Sequence, residues 1–345
     1  MARFGGLVAS GLQDVTRDPA ALDSSGFWAV CADFEGRPVC ARFASVRREP
    51  VPAPAPGAWR GPAAGEWTSS LDHDAYTAGV RRIREHIAAG DVYQANLCRV
   101  LSAPLPGPGA ADVDALTALL ARGNPAPYAG TIRLPGHGIE VATASPELFL
   151  RRDGRTVESG PIKGTGRTEA DLLEKDHAEN VMIVDLVRND LGRVCATGSV
   201  SVPDLCVVEK HPGLVHLVSS VRGRLADGAG WPELFAAAFP PGSVTGAPKS
   251  SALRIIAELE RGPRGPYCGA IGWVDADRST ASLAVGIRTF WIDRTGAAPL
   301  LCFGTGAGIT WGSDPEREWD ETELKASRLL AVASGVYEQT GRTAP

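Results

Sequence analysis

Four segments of the chain carry apolar residues at the three- and four-residue spacing of an amphipathic helix. They cover residues 72–89, about 171–188, 248–261 and about 315–339. Two of these segments end with a helix stop signal, because Gly90 follows the first and Gly262-Pro263 follow the third. The pattern therefore predicts four helices.

Short apolar runs between these helices predict strands. They lie at residues 92–101, 139–150, 200–209, 214–224, 267–275, 281–292 and 300–303. Residues 1–46 carry shorter runs, such as Phe27-Trp-Ala-Val-Cys31, and are expected to form a short edge portion of a sheet that the main body completes. Groups of strands separated by helices favour an α+β fold over a regular βαβ repeat.

The chain is expected to form a single large domain over residues 1–345. Five prolines fall within residues 47–66, which is typical of a semi-rigid, extended linker. This linker separates the sheet portion at 1–46 from a main body at 67–340. A second loop is predicted at residues 103–111, where proline and glycine again cluster.

Charge and cysteine usage exclude several classes of protein. Lys and Arg number 35 against 40 Asp and Glu, with no basic cluster, which argues against nucleic acid or an anionic membrane as the partner. No uncharged apolar run approaches the roughly 18–20 residues of a membrane span, and the first residues lack a signal-peptide pattern. The seven cysteines are scattered without a CxxC pair, as in a reduced cytoplasmic protein without a zinc site. We therefore expect a cytoplasmic protein.

Two glycine-rich stretches look like nucleotide-binding loops but have the wrong spacing. Gly304-Thr-Gly-Ala-Gly308 lacks the third glycine of GxGxxG, and Gly242 to Ser250 do not fit GxxxxGK[ST]. The second stretch still opens a predicted helix with Thr245-Gly-Ala-Pro-Lys249. Free backbone N–H groups there could hold a carboxylate or a phosphate, or the segment could be an ordinary capped helix start.

Acidic residues in two predicted helices could bind a hard cation. Asp176 and Glu179 are three residues apart and share a helix face, and Glu321 lies in the acidic start of the last helix. If they converge, they form a site suited to Mg²⁺, which takes a few carboxylates and keeps positions for water and substrate. The alternative is that these are solvated helix starts, stabilised by the helix dipole.

Four further residues could carry chemistry or serve the core. Lys163 has small, turn-forming neighbours and is either a nucleophile or a surface lysine. Glu147 lies at a strand entrance, where it could be a general acid if burial raises its pKa, or could cap a turn. His216, inside an apolar strand, is more often a hydrogen-bonded core residue than a catalyst. Arg288, in another apolar strand, needs an anion, either a protein carboxylate or a ligand.

Nine motifs, taken in chain order, resemble those of the chorismate-utilising enzyme family. They are Ala144-Ser-Pro-Glu-Leu-Phe-Leu150, Pro161-Ile-Lys-Gly-Thr165, Ala178-Glu-Asn-Val-Met-Ile-Val-Asp-Leu-Val-Arg-Asn-Asp-Leu-Gly-Arg193, His216-Leu-Val-Ser219, Ser243-Val-Thr-Gly-Ala-Pro-Lys249, Tyr267-Cys-Gly-Ala-Ile-Gly272, Ile287-Arg-Thr289, Gly306-Ala-Gly-Ile309 and Glu321-Thr-Glu-Leu-Lys325. The resemblance covers roughly residues 90–332. The resemblance implies a large α+β domain with two packed β-sheets, helices outside, and an active site in the cleft between the sheets.

The resemblance also implies a reaction. Members of the family add water to chorismate, or ammonia at its C2 or C4 carbon. Water-using members carry a lysine base where this chain has Gln94. The sequence Pro161-Ile-Lys-Gly-Thr165 resembles members that aminate C4, whereas members that form anthranilate usually carry alanine at the position of Lys163. The expected product is 4-amino-4-deoxychorismate, the precursor of 4-aminobenzoate for folate. The alternatives are anthranilate formation and a non-catalytic, chorismate-binding regulatory protein.

The roles of individual residues are carried over from the matching motifs. The resemblance implies that Lys163 is a covalent nucleophile, Glu147 a general acid and His216 a further member of the catalytic group. It implies that Mg²⁺ is held by Glu179 and Glu321, with Asp176 nearby or bound through water. Substrate contacts are expected from the following residues: Gly164, Thr165, Ser243, Thr245, Tyr267, Arg288, Gly306, Gly308 and Lys325.

Two features of the family are not found in this sequence. Residues 1–60 lack a Leu-Leu-Glu-Ser-type motif, through which regulated anthranilate synthases bind tryptophan, and the amino-terminal portion is short. No Gly-x-Cys-x-Gly turn of a glutaminase occurs either. Ammonia is therefore expected from a separate glutamine amidotransferase subunit or from free ammonium.

Overall fold

The structure has a helix at each of the four segments predicted to be helical, and two further helices that the pattern did not predict. The structure is a computed structural model that describes residues 1–50, 58–107, 112–123, 125–166, 168–211 and 214–336. Within those ranges it contains α1 (His73–Ala88), α2 (Val113–Gly123), α3 (Glu174–Gly192), α4 (Trp231–Ala238), α5 (Lys249–Leu259) and α6 (Pro315–Ala333). The four predicted helices correspond to α1, α3, α5 and α6. The periodicity missed α2, which is buried on most sides, and α4, which has only eight residues.

Eighteen strands lie in the same part of the chain. They are β1 (Ala2–Phe4), β2 (Leu7–Thr16), β3 (Phe27–Ala32), β4 (Pro38–Arg48), β5 (Thr68–Ser69), β6 (Gln94–Pro104), β7 (Tyr128–Leu134), β8 (Ile139–Ser145), β9 (Leu148–Asp153), β10 (Thr156–Gly160), β11 (Ile162–Gly166), β12 (Ser201–His211), β13 (Leu214–Arg224), β14 (Gly246–Ala247), β15 (Ala270–Asp275), β16 (Thr280–Val285), β17 (Thr289–Asp293) and β18 (Leu300–Ile309). The mixed helix-and-strand class predicted from the sequence is confirmed.

The strands pair in an antiparallel manner and form one connected sheet. Starting at one edge, the order is β12, β13, β10, β9, β16, β15, β3, β4, β2, β1, β7, β8, β17, β18 and β6. Strand β11 continues beside β13, and the short strands β5 and β14 pair with β6. The resemblance implied two packed sheets. In the structure these two sheets are the two halves of one sheet, which hydrogen bonds connect.

The amino-terminal strands make this join. Strand β3 pairs with β15 and strand β1 pairs with β7, so β1 to β4 lie between the two halves. The expectation that residues 1–46 form an edge portion was wrong, because this portion is bordered by strands on both sides. The predicted linker at 47–66 contains residues 51–57, which lie outside the described ranges.

The two halves of the sheet pack face to face at Gly304, which has no side chain to hold them apart. A Cβ atom on Gly304 of β18 would lie 2.0 Å from the ring of Tyr267, which precedes β15. Helices cover the outer faces, with α3 and α4 packed in one apolar cluster and α2 and α6 in another. Within the described ranges, no helix is long and apolar enough to cross a membrane.

Two predicted strands are interrupted in the structure. The run 139–150 divides into β8 and β9 at Pro146-Glu147, and the run 281–292 divides into β16 and β17 around Gly286 to Arg288. Arg288 adopts a left-handed backbone with a φ of 51°. The description of Arg288 as a residue inside a strand was therefore wrong, because it lies in a turn. Both interruptions place a charged candidate residue at the end of a strand.

Candidate active site

Glu147 occupies a rigid connection between β8 and β9. Its carbonyl accepts a hydrogen bond from the N–H of Val285 at 3.0 Å, and its own N–H donates to the hydroxyl of Ser145 at 3.2 Å. The same hydroxyl donates to the carbonyl of Val285 at 2.6 Å. Only 4% of Glu147 is exposed. The backbone thus fixes this carboxyl in a buried position.

The carboxyl of Glu147 is tuned by its surroundings. Burial raises its pKa to about 7, while the Ser243 hydroxyl, the positive charge of Lys163 and the backbone N–H of Ile162 act in the opposite direction. A carboxylic acid of this strength is partly protonated at neutral pH. Glu147 therefore has the property required of a proton donor.

Lys163 lies in β11, close enough to Glu147 for its charge to act on that carboxyl. Its Nζ donates to the carbonyl oxygen of Ser243 at 3.3 Å. The pairing of β11 with β13 shifts register between Lys163 and Thr165, where Gly164 has a φ of 72°. This bulge requires glycine, and it redirects the lysine side chain.

The neighbours of this bulge complete one wall of the site. A Cβ atom on Gly164 would lie 3.0 Å from the Cβ of Asp176. The backbone of Thr165 pairs with His216, although the side chain of Thr165 lies outside the described part of the structure. His216 is buried in β13. The roles assigned to Thr165 and His216 by resemblance stay predictions.

A tight turn before α5 presents Ser243 to Glu147 and Lys163. The hydroxyl of Thr245 donates to the carbonyls of Pro241 and Gly242 at 3.2 and 3.1 Å, and Thr245 is fully buried. In this arrangement the Thr245 hydroxyl stabilises the turn. The Ser243 carbonyl, by contrast, accepts hydrogen bonds from both Lys163 and Asn96.

The lysine at the start of α5 is paired within the protein, and no side chain in the described ranges caps the first turn of this helix. Lys249 donates to Asp190 of α3 at 2.7 Å and to the carbonyl of Ala238 at 3.1 Å. A cavity of about 20 Å³, large enough for one water, lies between Asp190 and Glu147. The Lys249–Asp190 ion pair thus closes the back of the site.

Carboxylates from α3 and α6 interact beside Lys163. Burial raises the pKa of Glu179, and the negative charges of Asp176 and Glu321 raise it further. Asp176 also caps α3, since its Oδ2 accepts from the N–H of Leu173 at 2.8 Å. Mutual repulsion between partly buried carboxylates is relieved by a divalent cation, so the donor set fits Mg²⁺. Across the described ranges, however, no group of three or more acidic, His or Cys side chains is arranged as a metal cluster.

Glu321 is at present paired with a lysine of its own helix. The Nζ of Lys325 lies 2.7 Å from its carboxylate and also donates to the carbonyl of Gly306 at 3.1 Å. Burial works to raise the pKa of Glu321, but the ion pair and hydrogen bond with Lys325 outweigh it and leave that pKa below its ordinary value. Lys325 therefore connects α6 to the glycine-rich strand β18.

Strand β18 forms a wall with little side-chain bulk. A Cβ atom on Gly306 would lie 2.6 Å from the sulfur of Cys98, and one on Gly308 would lie 2.3 Å from the amide nitrogen of Gln94. Gln94 is fully buried, and its Oε1 has no hydrogen-bond partner among the residues described. The two glycines predicted to approach the substrate thus face Cys98 and Gln94 of β6.

Arg288 and Tyr267, both predicted to contact the substrate, differ in whether they can bind an anion. Burial lowers the pKa of the Arg288 guanidinium, and within the described chain no opposite charge offsets this effect. Tyr267 is instead buried in the core, with its ring against Gly304 and its phenol next to Cys98 and Cys268. Arg288 is available for a substrate carboxylate, whereas Tyr267 supports the wall behind it.

The motifs missed two polar residues of the site, Asn96 and Arg264. Asn96 donates to the Ser243 carbonyl at 3.4 Å, and Arg264 reaches the carbonyls of Val244 and Asn96. Asn96 could have been noticed as a polar residue in the apolar run that forms β6, whose first six residues are all buried. Arg264 lies in a Gly/Pro-rich loop whose sequence carries no sign of burial.

A model of chorismate binding enzymes matches residues 30–331 of the chain. This match covers most of the sequence, so the protein belongs to the chorismate binding enzyme family. The resemblance drawn from the nine motifs is confirmed at this level.

Curated relatives carry two different names. Anthranilate synthase component 1 of Streptomyces coelicolor is 42% identical over 314 residues, which are 85% of this chain and 60% of that protein. Aminodeoxychorismate synthase component 1 of Salmonella typhimurium is 38% identical over 276 residues, which are 76% of this chain and 58% of that protein. The chain thus spans about three fifths of the length of these relatives. Overall identity does not separate the two activities.

Solved structures agree with the fold. The 2,3-dihydroxybenzoate-specific isochorismate synthase of Bacillus anthracis has a TM-score of 0.79 at 25% identity, covering 96% of this chain and 95% of that chain. Anthranilate synthase component I of Streptococcus pneumoniae has a TM-score of 0.78 at 24% identity, covering 95% of this chain and 92% of that chain. The architecture is that of chorismate-utilising enzymes.

Proposed function

We propose that this protein forms 4-amino-4-deoxychorismate from chorismate and ammonia, the reaction of aminodeoxychorismate synthase component I. One observation carries the proposal. Lys163 approaches the buried Glu147 through Ser243, so a potential nucleophile and a potential acid share one site. A lysine at this position has no function in direct amination at C2, but it explains how C4 is aminated with retained configuration.

In the first step, the neutral amine of Lys163 bonds to C2 of chorismate. Both ring double bonds shift, to C1=C6 and C4=C5, and the C4–O bond breaks. Glu147 donates its proton to the departing hydroxyl, which leaves as water. The raised pKa of Glu147 supports this role, since the acid must still hold its proton near neutral pH.

In the second step, ammonia bonds to C4. Both double bonds shift back and the C2–N bond to Lys163 breaks, which regenerates the lysine. The proton released by the attacking ammonia restores the acid form of Glu147. A single direct displacement at C4 would invert its configuration, whereas two successive substitutions retain it. One difficult step is thereby divided into two easier ones.

The remaining residues bind and orient the substrate. Arg288 supplies a buried cation for a carboxylate, and Lys325 can supply a second one from the exposed end of the site. Glu179 and Glu321 would hold Mg²⁺, which as a Lewis acid would polarise the bound carboxylate. Gly306 and Gly308 let β18 pack closely against Cys98 and Gln94, and the backbone of this wall would lie beside the substrate.

The source of ammonia is part of the proposal. The names of the relatives include "component 1", and the sequence has no glutaminase turn. We infer that a glutamine amidotransferase subunit delivers ammonia to this chain. The product would serve 4-aminobenzoate and folate synthesis. Copurification of a tagged chain with an amidotransferase, and glutamine-dependent activity of the pair, are the expected results.

Product identity tests the proposal. The purified protein is incubated with chorismate, ammonium and Mg²⁺, with and without aminodeoxychorismate lyase. The expected result is 4-aminobenzoate only when lyase is present. Anthranilate formed without lyase would support the second candidate, anthranilate synthase, which is the name of the Streptomyces coelicolor relative. Tight chorismate binding without any product would indicate a regulatory binding protein.

A further inference from the structure

We propose that Arg264 is a positioning residue, which holds the Ser243 turn against Glu147 and Lys163. The inference deepens the proposed function and rests on it for the catalytic meaning of these contacts. Arg264 lies outside the nine motifs that indicated the site. Its contacts join three segments of the chain that are distant in sequence.

The guanidinium of Arg264 binds two backbone carbonyls of the site. Nη1 donates to the carbonyl of Val244 at 2.8 Å, and Nη2 donates to the carbonyl of Asn96 at 3.1 Å. Val244 follows Ser243 in the turn before α5, and Asn96 is the residue of β6 whose side chain donates to Ser243. One side chain thus fixes both sides of the Ser243 turn.

Glu260 fixes the direction of this guanidinium. Its two oxygens accept from Nε and Nη2 of Arg264 at 2.8 and 2.6 Å, and one of them also accepts from the N–H of Cys98 at 2.8 Å. Both side chains are almost fully buried, with exposures of 2% and 7%. A bidentate pair of this kind defines orientation as well as charge.

The amino-terminal portion encloses the pair from the other side. The ring of Phe34 lies 4.2 Å from the guanidinium carbon, and Glu35 accepts from the backbone N–H of Arg264 at 2.8 Å. The N–H of Phe34 donates to the carbonyl of Gly265 at 2.8 Å. The turn after β3 therefore holds Arg264 in place, and Arg264 transmits this constraint to the Ser243 turn.

Ser243 connects Arg264 to the two groups proposed to carry the reaction, Glu147 and Lys163. Its hydroxyl lowers the pKa of Glu147, and its carbonyl accepts from Lys163. Among the described residues, the charged or titratable groups that face Glu147 are Lys163, Tyr128 and, across the small cavity, Asp190. Since Arg264 contacts none of these groups directly, a change at Arg264 should reach Glu147 only by moving Ser243.

The substitution Arg264→Lys separates positioning from simple charge burial. Lysine keeps the positive charge beside Glu260, but its single ammonium cannot reach both carbonyls in the fixed geometry of a guanidinium. Arg294→Lys is the matched control. Arg294 forms the same type of two-point pair with the buried Glu140 but contacts no residue of the site. Both variants lose one bidentate pair, and only one of them loosens Ser243.

Titration of Glu147 provides a readout that does not require turnover. The carboxyl is followed by ¹³C NMR in glutamate-labelled protein and assigned with Glu147→Gln. In Arg264→Lys we expect Glu147 to titrate at higher pH than in the wild type, because the Ser243 hydroxyl bond is lost. In Arg294→Lys we expect no change. An unchanged titration in folded Arg264→Lys would overturn the proposal.

If Arg264→Lys does not fold, Glu260→Gln takes its place, because it retains Arg264 and only weakens its orientation. The same upward displacement, smaller in size, is expected; no displacement overturns the proposal in that case too. Circular dichroism verifies the fold of each variant.

Kinetics complete the test. Arg264→Lys is expected to lower kcat by about tenfold or more, with KM for chorismate within about twofold, because the acid and the nucleophile are displaced while the carboxylate ligands stay. A rise in KM alone would contradict the inference. If the wild type forms anthranilate, the proposed C4 amination fails, but the NMR comparison still decides the role of Arg264.

Discussion

At the scale of single residues, burial determines chemistry. Glu147 is buried and Arg288 is partly buried, and burial shifts the pKa of each towards its neutral form. The sequence indicated both residues as charges in apolar surroundings, with Glu147 at a strand entrance and Arg288 inside a strand, and only the position of Glu147 was right. The pKa of Glu147 could not be predicted, because it also depends on Ser243, Lys163 and Ile162, which come from other parts of the chain.

The stability of the protein should report the burial of Glu147. Its pKa of about 7 lies above the unfolded value of 4.5, so the wild type loses stability as pH rises from about 4.5 to 7 and little more beyond. Glu147→Gln is neutral throughout. Its stability relative to the wild type should rise over this range by up to roughly 3 kcal/mol. Urea unfolding at several pH values measures it, and a pH-independent difference would contradict the prediction.

Lys163 can be tested by separating its charge from its nucleophilicity. Lys163→Met should abolish C4 amination and raise the pKa of Glu147, because the charge that lowers this pKa is lost. Lys163→Arg should also abolish amination, since a guanidinium is not a nucleophile at neutral pH, but it should largely preserve the Glu147 titration. Steady-state rates and NMR titration are the measurements. Normal rates in either variant would remove Lys163 as the nucleophile.

At the scale of elements, strand β18 packs closely against its neighbours because several of its residues are glycines. Gly304 packs against the ring of Tyr267, where an added methyl group has no space. Gly304→Ala should lower the free energy of unfolding by about 1–3 kcal/mol. Gly312→Ala is the control, because nothing lies within 4 Å of its Cβ position, and its effect should stay below about 0.5 kcal/mol. Equal effects in denaturant unfolding would show that packing against Tyr267 is unimportant.

On helix α6, Lys325 pairs with the Glu321 carboxylate that is proposed to bind Mg²⁺, so the lysine and the metal ion compete for it. Lys325 neutralises Glu321 one helical turn away. Removing this cation in Lys325→Met should strengthen Mg²⁺ binding and weaken chorismate binding, whereas Glu321→Gln should weaken Mg²⁺ binding. Isothermal titration with MgCl₂ measures both variants. If Lys325→Met bound Mg²⁺ more weakly than the wild type, Lys325 and the cation would not compete.

Elements were predictable to different degrees, for physical reasons. The helices α1, α3, α5 and α6 each expose one polar face, so their period is visible in the sequence. In helix α2, seven of the eleven residues are buried, so its polar face is narrow. The breaks at Glu147 and Arg288 were missed because their flanks are uniformly apolar, and a turn inside an apolar run leaves no periodic signal. The motifs indicated the site residues, but Arg264 acts through backbone carbonyls, which have no sequence signature.

At the scale of the whole molecule, the amino-terminal strands are structural members of both halves. The side chains of Trp28 and Val30 in β3 are almost fully buried, and β3 supplies the hydrogen-bonding partner of β15. A fragment of residues 58–345 should therefore be insoluble or lack cooperative unfolding. Coexpression with residues 1–50 should restore a soluble complex, because the two pieces meet within a single sheet. Cooperative unfolding of the fragment alone would refute this view.

The connected sheet also has a consequence for synthesis of the protein. Ala32 pairs with Ala270, and Ala2 pairs with Ile132, so the earliest strands to leave the ribosome wait for partners that emerge much later. Non-local pairings of this kind form slowly. Until then, β3 and β1 have unpaired edges that can recruit other chains. Interrupted translation should therefore yield aggregating fragments rather than a partly working enzyme.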